Sequence, residues 1–245
     1  MRRVARSYLD LDGNRNYSAA TNGEERVLAR IAYAGCTCVF DVGANVGEWS
    51  LRARRLAPAA TVHAFEIVPD TAAFLARATA GDSRIRTNAC GLAREEGEIE
   101  VRYYPTFSEG SGVTAAIDLP FEVRLCNVTT GDAYCDRREI ERIDFLKLDV
   151  EGAEDSVLYG FEGMFAAGAV DAVQFEYGLP NIESHFLLRD FHAFFGEYGF
   201  VVGKIYPNHV DFRPYDSSLD EDFRGPNYVA VRSERADVIA ALSGS

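Results

Sequence analysis

The chain has 245 residues, 47% of them hydrophobic, which is enough to bury the core of one domain or of a small pair. A formal net charge of −13 disfavours nucleic acid as a general partner. The five cysteines lack zinc-type spacing and fit buried thiols in a reducing cytoplasm. Neither a secretory signal nor a membrane-spanning apolar run is present, so we predict a cytoplasmic protein without a membrane partner.

A polar arm opens the chain. Residues 1–35 begin Asn-rich, and Asn22-Gly23 then introduces an amphipathic stretch that predicts a helix over 24–34. We interpret residues 1–35 as an N-terminal arm and helix, followed by one domain over residues 36–245. Because the arm is polar and could pack on a second copy, a homo-oligomer is one expectation.

From residue 36 onward, strand and helix patterns alternate, which predicts a mostly parallel sheet with helices on both faces. Apolar runs predict strands near 37–42, 61–65, 84–89, 143–148, 170–176, 200–206 and 227–232. Amphipathic stretches predict helices near 46–56, 69–80, 153–160 and 187–198. The alternation breaks over residues 98–130, where two extended runs flank a Gly- and Ser-rich loop at 106–112. We expect an inserted loop or hairpin there, acting as a lid or as a plain connector.

The turn after the first predicted strand is the most informative stretch. Asp41 lies near the end of an apolar run, and Gly43-Ala44-Asn45-Val46-Gly47 follows and leads into a helix. The glycines let the backbone approach a ligand, and the helix N-terminus favours electron-rich groups. A dinucleotide turn needs Gly-x-Gly-x-x-Gly, and here side chains stand where a pyrophosphate would approach. NAD is therefore disfavoured, and a phosphate-free nucleoside such as S-adenosylmethionine is favoured.

Polar groups end five predicted strands, at the edge where open α/β sheets bind ligands. Glu66 ends the second strand, and its two oxygens can accept both ribose hydroxyl hydrogens. We expect a cofactor pocket that also includes Asp41, the 43–47 turn, Ile67, Asn88, Gly91 and Asp149.

Within the fourth strand, Lys147 interrupts an apolar run, where a buried charge is costly unless it is paired. Strand alternation puts Lys147 and Asp149 on one face, so the two can form an ion pair that braces the following loop. The alternative is that Asp149 or Glu151 faces the substrate or cofactor.

Three stretches together resemble the FkbM family of S-adenosylmethionine-dependent methyltransferases: Asp41 to Glu48, Glu66 to Pro69, and above all Lys147-Leu-Asp-Val-Glu-Gly-Ala-Glu154. The resemblance implies a Rossmann-like class I methyltransferase fold, with seven strands and an antiparallel strand near the C-terminus. It implies S-adenosylmethionine as the cofactor and a hydroxyl of a small molecule, such as a natural product or sugar, as the acceptor. It also implies cofactor contacts at Asp41, Gly43, Asn45, Gly47 and Glu66.

Methyl transfer to an aliphatic hydroxyl needs a proton acceptor or a metal near the transition state. The candidate bases are Asp149, Glu176, His185 and His209, with Lys147 as the partner of Asp149. We favour a site without a metal; Mg²⁺ held by Asp149 and Glu176 is the alternative. We expect His63, inside the second strand, to be a hydrogen-bonded core residue.

Other functions stay open at this point. They are a cofactor-binding module without catalysis, a methyltransferase acting on a glycan or RNA, and a dinucleotide oxidoreductase. The acids at the strand ends argue against a decayed enzyme, the net charge of −13 disfavours RNA, and the side chains of the 43–47 turn disfavour a dinucleotide.

Overall fold

The computed structural model describes residues 8–10, 12–105, 110–113, 119–224 and 226–244. Part of the predicted loop at 106–112, residues 106–109, lies outside the described residues. Strands β1 to β11 lie at Cys38–Val42, Thr61–Phe65, Ile85–Asn88, Gly91–Leu92, Gly97–Tyr103, Glu122–Thr129, Phe145–Leu148, Ala172–Glu176, Phe200–Ile205, Val210–Phe212 and Asn227–Arg232. Helices α1 to α9 lie at Glu24–Tyr33, Glu48–Leu56, Pro69–Thr79, Gly131–Arg138, Glu154–Tyr159, Glu162–Ala166, Pro180–Ser184, Leu188–Glu197 and Ala236–Ser243.

The main sheet has the strand order β10-β9-β11-β8-β7-β1-β2-β3. Strands β3, β2, β1, β7 and β8 run parallel, and β11 is antiparallel to both of its neighbours. The chain moves outward from β1 through β2 to β3 and then returns with β7 on the other side of β1. The strand order therefore switches between β1 and β7, which is where ligands bind in such sheets.

The predicted mostly parallel sheet with a C-terminal antiparallel strand is confirmed, but it has eight strands rather than seven. The additional strand, β10, has three residues, pairs with β9 and forms one edge of the sheet. Its central residue is Asp211, so the segment is too short and too polar to give a strand pattern in the sequence.

Helices cover both faces of the sheet because strand alternation sends apolar side chains to each side. Phe40 and Leu146 join one core, and Val39 and Phe145 join the other. Helix α8 presents an aromatic stripe to the first core, and its Phe191 stacks on Phe175 of β8 with ring centroids 4.2 Å apart. The stripe therefore packs α8 against the sheet.

Residues 98–130, where the alternation of strands and helices breaks, contain a hairpin, which is one of the two structures expected there. Strands β5 and β6 pair antiparallel along their length, and β4 joins β6 to complete a small second sheet. Helix α4 follows, and the sequence pattern did not predict it. It is mostly polar and buries only Gly131, Tyr134 and Cys135, although its N-cap Thr130 accepts a hydrogen bond from the amide of Ala133 at 3.0 Å.

The N-terminal arm packs on its own chain in this structure. The Asn14 side-chain amide donates to the carbonyls of Asn22 at 2.8 Å and Ile205 at 2.9 Å. Helix α1 then buries Val27 and Leu28 in the core that also holds β1. The arm is thus joined to the edge of its own sheet, next to the turn between β9 and β10.

His63 is the buried core residue that the sequence predicted. Its Nδ1 lies 2.9 Å from the hydroxyl oxygen of Tyr134, and burial lowers its pKa to about 4. All five cysteines are free thiols. Over the described ranges, we find no helix with both the length and the apolar character that crossing a membrane requires.

Candidate functional site

Two clefts open at the carboxyl ends of β1 and β7, and both are lined by Gly43, Asn45 and Asp149. The first, here called the apolar cleft, has a volume of about 60 Å³. Its other walls are Val42, Phe65, Glu66, Ile67, Gly91, Leu92, Ile99, Val101, Ser111, Gly112, Val113, Val150 and Ala153. The second, here called the acidic cleft, has a volume of about 600 Å³. Its walls include Tyr17, Ala19, Glu24, Ala44, Glu48, Arg52, Lys147, Glu151, Glu154, Glu176 and Asn181.

Gly43 lies at the switch point, pressed against the loop after β7. Its φ is +86°, and a Cβ on it would stand 1.7 Å from the carbonyl oxygen of Asp149. The amides of Gly43 and Ala44 both donate to the carbonyl of Phe65, at 3.0 and 2.8 Å. The turn is therefore held between β2 and β7, and only glycine fits at position 43.

Gly47 serves a different purpose from Gly43. It begins helix α2 with φ +92°, and a Cβ there would stand 2.7 Å from the Leu75 side chain of α3. Gly47 lines neither cleft. It lets α2 pack close to α3, and its contact with a cofactor stays a prediction.

Glu66 holds the turn from the side of β2 and faces the apolar cleft. One carboxylate oxygen accepts the amide of Asn45 at 2.9 Å, and the other accepts the amide of Val68 at 2.8 Å. Burial raises the pKa of Glu66 to about 7, although these two amides oppose the shift. Each oxygen keeps a further lone pair that could accept a ligand hydroxyl.

Lys147 and Asp149 form the predicted ion pair, with 2.6 Å between Lys147 Nζ and Asp149 Oδ2. The Lys147 side chain is only 5% exposed, whereas that of Asp149 is 32% exposed. Burial by itself lowers the pKa of Lys147, but the carboxylates of Asp149 and Asp41 outweigh it and raise the pKa above its usual value. Lys147 therefore stays charged, and it fixes Asp149 at the junction of the clefts.

Asp41 lies beneath the clefts, contrary to the expectation that it touches a cofactor. It is fully buried and accepts a hydrogen bond from Ser50 Oγ at 2.6 Å. Burial raises its pKa, and the charge of Lys147 partly offsets that rise. Strand alternation explains the position, because Asp41 pairs in register with Lys147 and both side chains support the loops from below.

Glu154 and Glu176 also line the acidic cleft, the first buried and the second half-buried. Burial raises the pKa of Glu176 well above its usual value, with the charge of Asp149 adding to the effect and Lys147 opposing it. Burial also raises the pKa of Glu154 to about 7. Glu154 accepts the amides of Val150 and Gly152, both at 3.3 Å, and so braces the loop after β7.

Three residues predicted for the site lie elsewhere. Asn88 donates from its side chain to the carbonyls of Ala64 and Arg86, which ties β3 to β2, and it lines neither cleft. His185 ends α7 with φ +60° and lines a separate cleft on the α8 side of the molecule. His209 stacks on Tyr206 at the turn between β9 and β10, with ring centroids 4.9 Å apart.

Ile67 and Gly91, by contrast, line the apolar cleft. They face each other, since a Cβ on Gly91 would stand 2.6 Å from Ile67 Cδ1. The insertion contributes Gly112 and Val113 to the same cleft, and the Arg102–Gly112 bridge holds that segment to β5. The insertion therefore forms part of the wall of the apolar cleft, and its role as a lid stays a prediction.

Sequence reasoning missed several residues of the acidic cleft. Tyr17 and Glu24 come from the N-terminal arm and α1, far along the chain from the strand ends. In the sequence, Glu24 is recognisable only as an acidic residue in the first turn of a predicted helix. Asn181 follows Pro180 in a connecting segment without any periodic pattern, so its role could be found only from the fold.

No group of three or more His, Cys, Asp or Glu side chains within the described ranges is arranged to hold a metal ion.

A family model described as a methyltransferase FkbM domain matches residues 41–214. The chain belongs to the FkbM methyltransferase family. This membership places it among the S-adenosylmethionine-dependent methyltransferases, and the resemblance noted from the sequence is confirmed.

Curated relatives agree with this placement. The chain is 33% identical to 31-O-demethyl-FK506 methyltransferase FkbM from Streptomyces tacrolimicus, over 51% of this chain and 59% of that protein. It is 27% identical to Methyltransferase 1 from Beauveria bassiana, over 51% of this chain and 58% of that protein. In each case the match covers less than two thirds of the relative's length.

A solved structure shows the same fold. The crystal structure of methyltransferase FkbM from Methylobacillus flagellatus matches with a TM-score of 0.52 and 16% identity, over 80% of this chain and 43% of that chain. At this identity the likeness concerns the fold alone. It confirms the predicted Rossmann-like methyltransferase architecture.

Proposed function

We propose that this protein transfers a methyl group from S-adenosylmethionine to a hydroxyl group of a small molecule. The observation that carries the proposal is the meeting of two clefts of opposite chemistry at Gly43, Asn45 and Asp149. The family supplies the class of reaction, and the two clefts supply one place for the cofactor and one for the acceptor.

The residues of the apolar cleft fit the nucleoside half of this cofactor. Ile67, Leu92 and Val101 offer apolar contact to a base, and Glu66 stands beside them with oxygens that can accept ribose hydroxyls. Ligand sites usually enclose about 300 Å³ or more, and the apolar cleft has a volume of about 60 Å³. Nucleoside binding therefore requires the apolar cleft to widen.

Asp149 is the group we assign to proton removal. The cofactor supplies an electrophilic methyl group on a positively charged sulfur. As the acceptor oxygen bonds to that methyl carbon, the oxygen gains positive charge and its own proton becomes strongly acidic. A carboxylate held in contact is then a sufficient base, even when it is paired with an ammonium.

The pairing also sets the orientation of Asp149. Lys147 occupies Oδ2 at 2.6 Å, which leaves Oδ1 for the acceptor hydroxyl. Glu176 lines the acceptor side of the same junction. Lys147 thus acts as a positioning residue, and no metal ion is required in this scheme.

Replacing Asp149 with Asn tests the assignment. With any acceptor that the wild type methylates, Asp149→Asn should slow turnover by about 10²- to 10⁴-fold, the usual contribution of a positioned base. Binding of S-adenosylhomocysteine, measured by calorimetry, should stay within a few-fold of wild type. Asp155→Asn, on α5 and outside both clefts, is the matched control. Turnover of Asp149→Asn close to that of the control would contradict the role.

A further inference from the structure

The acidic cleft carries more negative charge than the methyl donor accounts for. Its described lining residues include six carboxyl groups, those of Glu24, Glu48, Asp149, Glu151, Glu154 and Glu176, and two cations, Lys147 and Arg52. Lys147 is paired with Asp149, and Arg52 is paired at 2.7 Å with Glu25, which lies outside the lining. Even with Glu154 and Glu176 protonated, the four other lining carboxyl groups outnumber the two lining cations and the net charge of about +1 that S-adenosylmethionine brings, so a negative excess remains among the described residues.

This excess of negative charge acts most directly on Glu176. Burial and the charges of Asp149, Glu151 and Glu24 all oppose ionisation of its carboxyl group, and Lys147, which partly offsets them, is already paired with Asp149. Glu24 is already satisfied, since its carboxylate accepts the side-chain amides of Gln174 at 2.7 Å and Asn227 at 3.0 Å. A half-buried carboxyl group in such a field is costly as an anion unless a cation binds beside it.

Asn181 is a second and independent sign of a ligand. It is only 2% exposed and lines the same cleft, and its Nδ2 has no partner among the described residues. Its Oδ1 accepts the amide of Gly178 at 2.8 Å, which fixes the orientation of the side-chain amide. An unpaired buried donor typically costs about 1–3 kcal/mol, so a ligand oxygen that accepts from Nδ2 would be stabilised.

We infer that the acceptor is a hydroxylated amine, whose ammonium group pairs with Glu176 and one of whose oxygens accepts a hydrogen bond from Asn181. This inference rests on the proposed function, because it assigns the acceptor of the same site. A neutral polyol would satisfy Asn181 alone. An anionic acceptor would meet repulsion from the surrounding carboxylates and would be excluded.

Three probes that share one six-carbon polyhydroxylated chain isolate the effect of charge. They are glucamine, which is a cation at neutral pH, sorbitol, which is neutral, and gluconate, which is an anion. Each is titrated by calorimetry into protein saturated with S-adenosylhomocysteine, at constant ionic strength. We expect glucamine to bind at least about tenfold more tightly than sorbitol, and gluconate to bind most weakly.

Two variants identify the group responsible. Glu176→Gln should remove the preference for glucamine over sorbitol, while the matched control Glu162→Gln, on α6 and outside the acidic cleft, should keep it. Similar affinities for the three probes, tighter binding of gluconate, no measurable binding of glucamine, or a preference that survives in Glu176→Gln would each overturn the inference. Failure of S-adenosylhomocysteine to bind the wild type would instead count against the proposed function.

Discussion

The two clefts that meet at Gly43 differ in size, in chemistry and in the origin of their walls. The apolar cleft has a volume of about 60 Å³, and its polar residues include a carboxylate, Glu66, held by two backbone amides. The acidic cleft has a volume of about 600 Å³ and draws its walls from the strand ends, the N-terminal arm and the segment around Pro180. The apolar cleft is built mainly from regular strands and the β5–β6 insertion, whereas the acidic cleft is built largely from connecting segments.

This difference indicates that the fold assigns the cofactor and the acceptor to different kinds of structural element. The walls built on strands fix a few groups for one invariant ligand, which is how a shared cofactor is recognised. The walls built from connections can change among relatives without disturbing the sheet, which suits an acceptor that differs from one protein to another. Substitutions that alter both clefts, one cleft or neither therefore test this division.

Gly43→Ala should have the largest effect, because it alters both clefts. A Cβ at 1.7 Å from the Asp149 carbonyl cannot be accommodated without moving the loop after β7. We expect loss of measurable cofactor binding in calorimetry and destabilisation by more than about 1 kcal/mol in urea unfolding. Gly35→Ala is the control, since Gly35 has φ +100° but no neighbour within 4 Å. Equal losses of cofactor binding and stability in Gly43→Ala and Gly35→Ala would mean that the backbone strain of a positive φ causes the losses. The contact with the loop after β7 would then not be their cause.

Glu66→Ala alters the apolar cleft alone. Losing the acceptor of the ribose hydroxyls should weaken S-adenosylmethionine binding by about 1–3 kcal/mol. Calorimetric titration gives the affinity, and thermal unfolding checks that the turn is still folded. Glu100→Ala, an exposed position on β5, is the control. Unchanged affinity in Glu66→Ala would rule out the ribose assignment.

Changing the pH should move affinity and stability in opposite directions. Glu66 and Glu154 have pKa values of about 7 in the folded chain, against 4.5 as their ordinary value. Between these values the folded chain holds more protons than the unfolded chain, so the free energy of unfolding falls as the pH rises from about 4.5 to about 7. Cofactor affinity should rise as Glu66 ionises through about 7. Urea unfolding and calorimetry across this range measure both, and an affinity that falls with rising pH would contradict the role of Glu66.

His185→Ala should have the smallest effect. His185 was a candidate base from the sequence, but it lines a cleft that shares no residue with the acidic cleft. We expect turnover within about twofold of wild type, as for a substitution away from the reacting groups. A loss comparable to that of a general base, about 10²-fold or more, would return His185 to the mechanism.

The positions of several strand-end residues follow from the sequence. The glycine turn, Glu66 and the Lys147–Asp149 pair all follow from local rules: glycine where the backbone is crowded, acids at strand ends, and a strand period of two. The same rules placed Asp41 in the cofactor pocket, although alternation turns its side chain beneath the loops with Lys147. Register against the neighbouring strand decides this, and one sequence does not reveal the register.

The connection-built part was largely beyond the sequence. Tyr17 and Glu24 reach the acidic cleft because the arm folds back along β9, through hydrogen bonds such as that from Asn14 to the Ile205 carbonyl, 191 residues away. Asn181 and His185 lie in the same short connection, yet one lines the acidic cleft and the other does not. Residues four apart share a face only within a continuous helix. His185 follows the end of α7 with φ +60°, so that relation does not extend to it, and no periodic pattern of so few residues predicts where α7 ends.

The most direct test of the central claim is a calorimetric titration of the full chain with S-adenosylmethionine, with NAD titrated beside it. If the paired clefts form a methyltransferase site, S-adenosylmethionine binds with micromolar affinity and NAD does not bind. Absence of S-adenosylmethionine binding, or equal binding of NAD, would contradict the account.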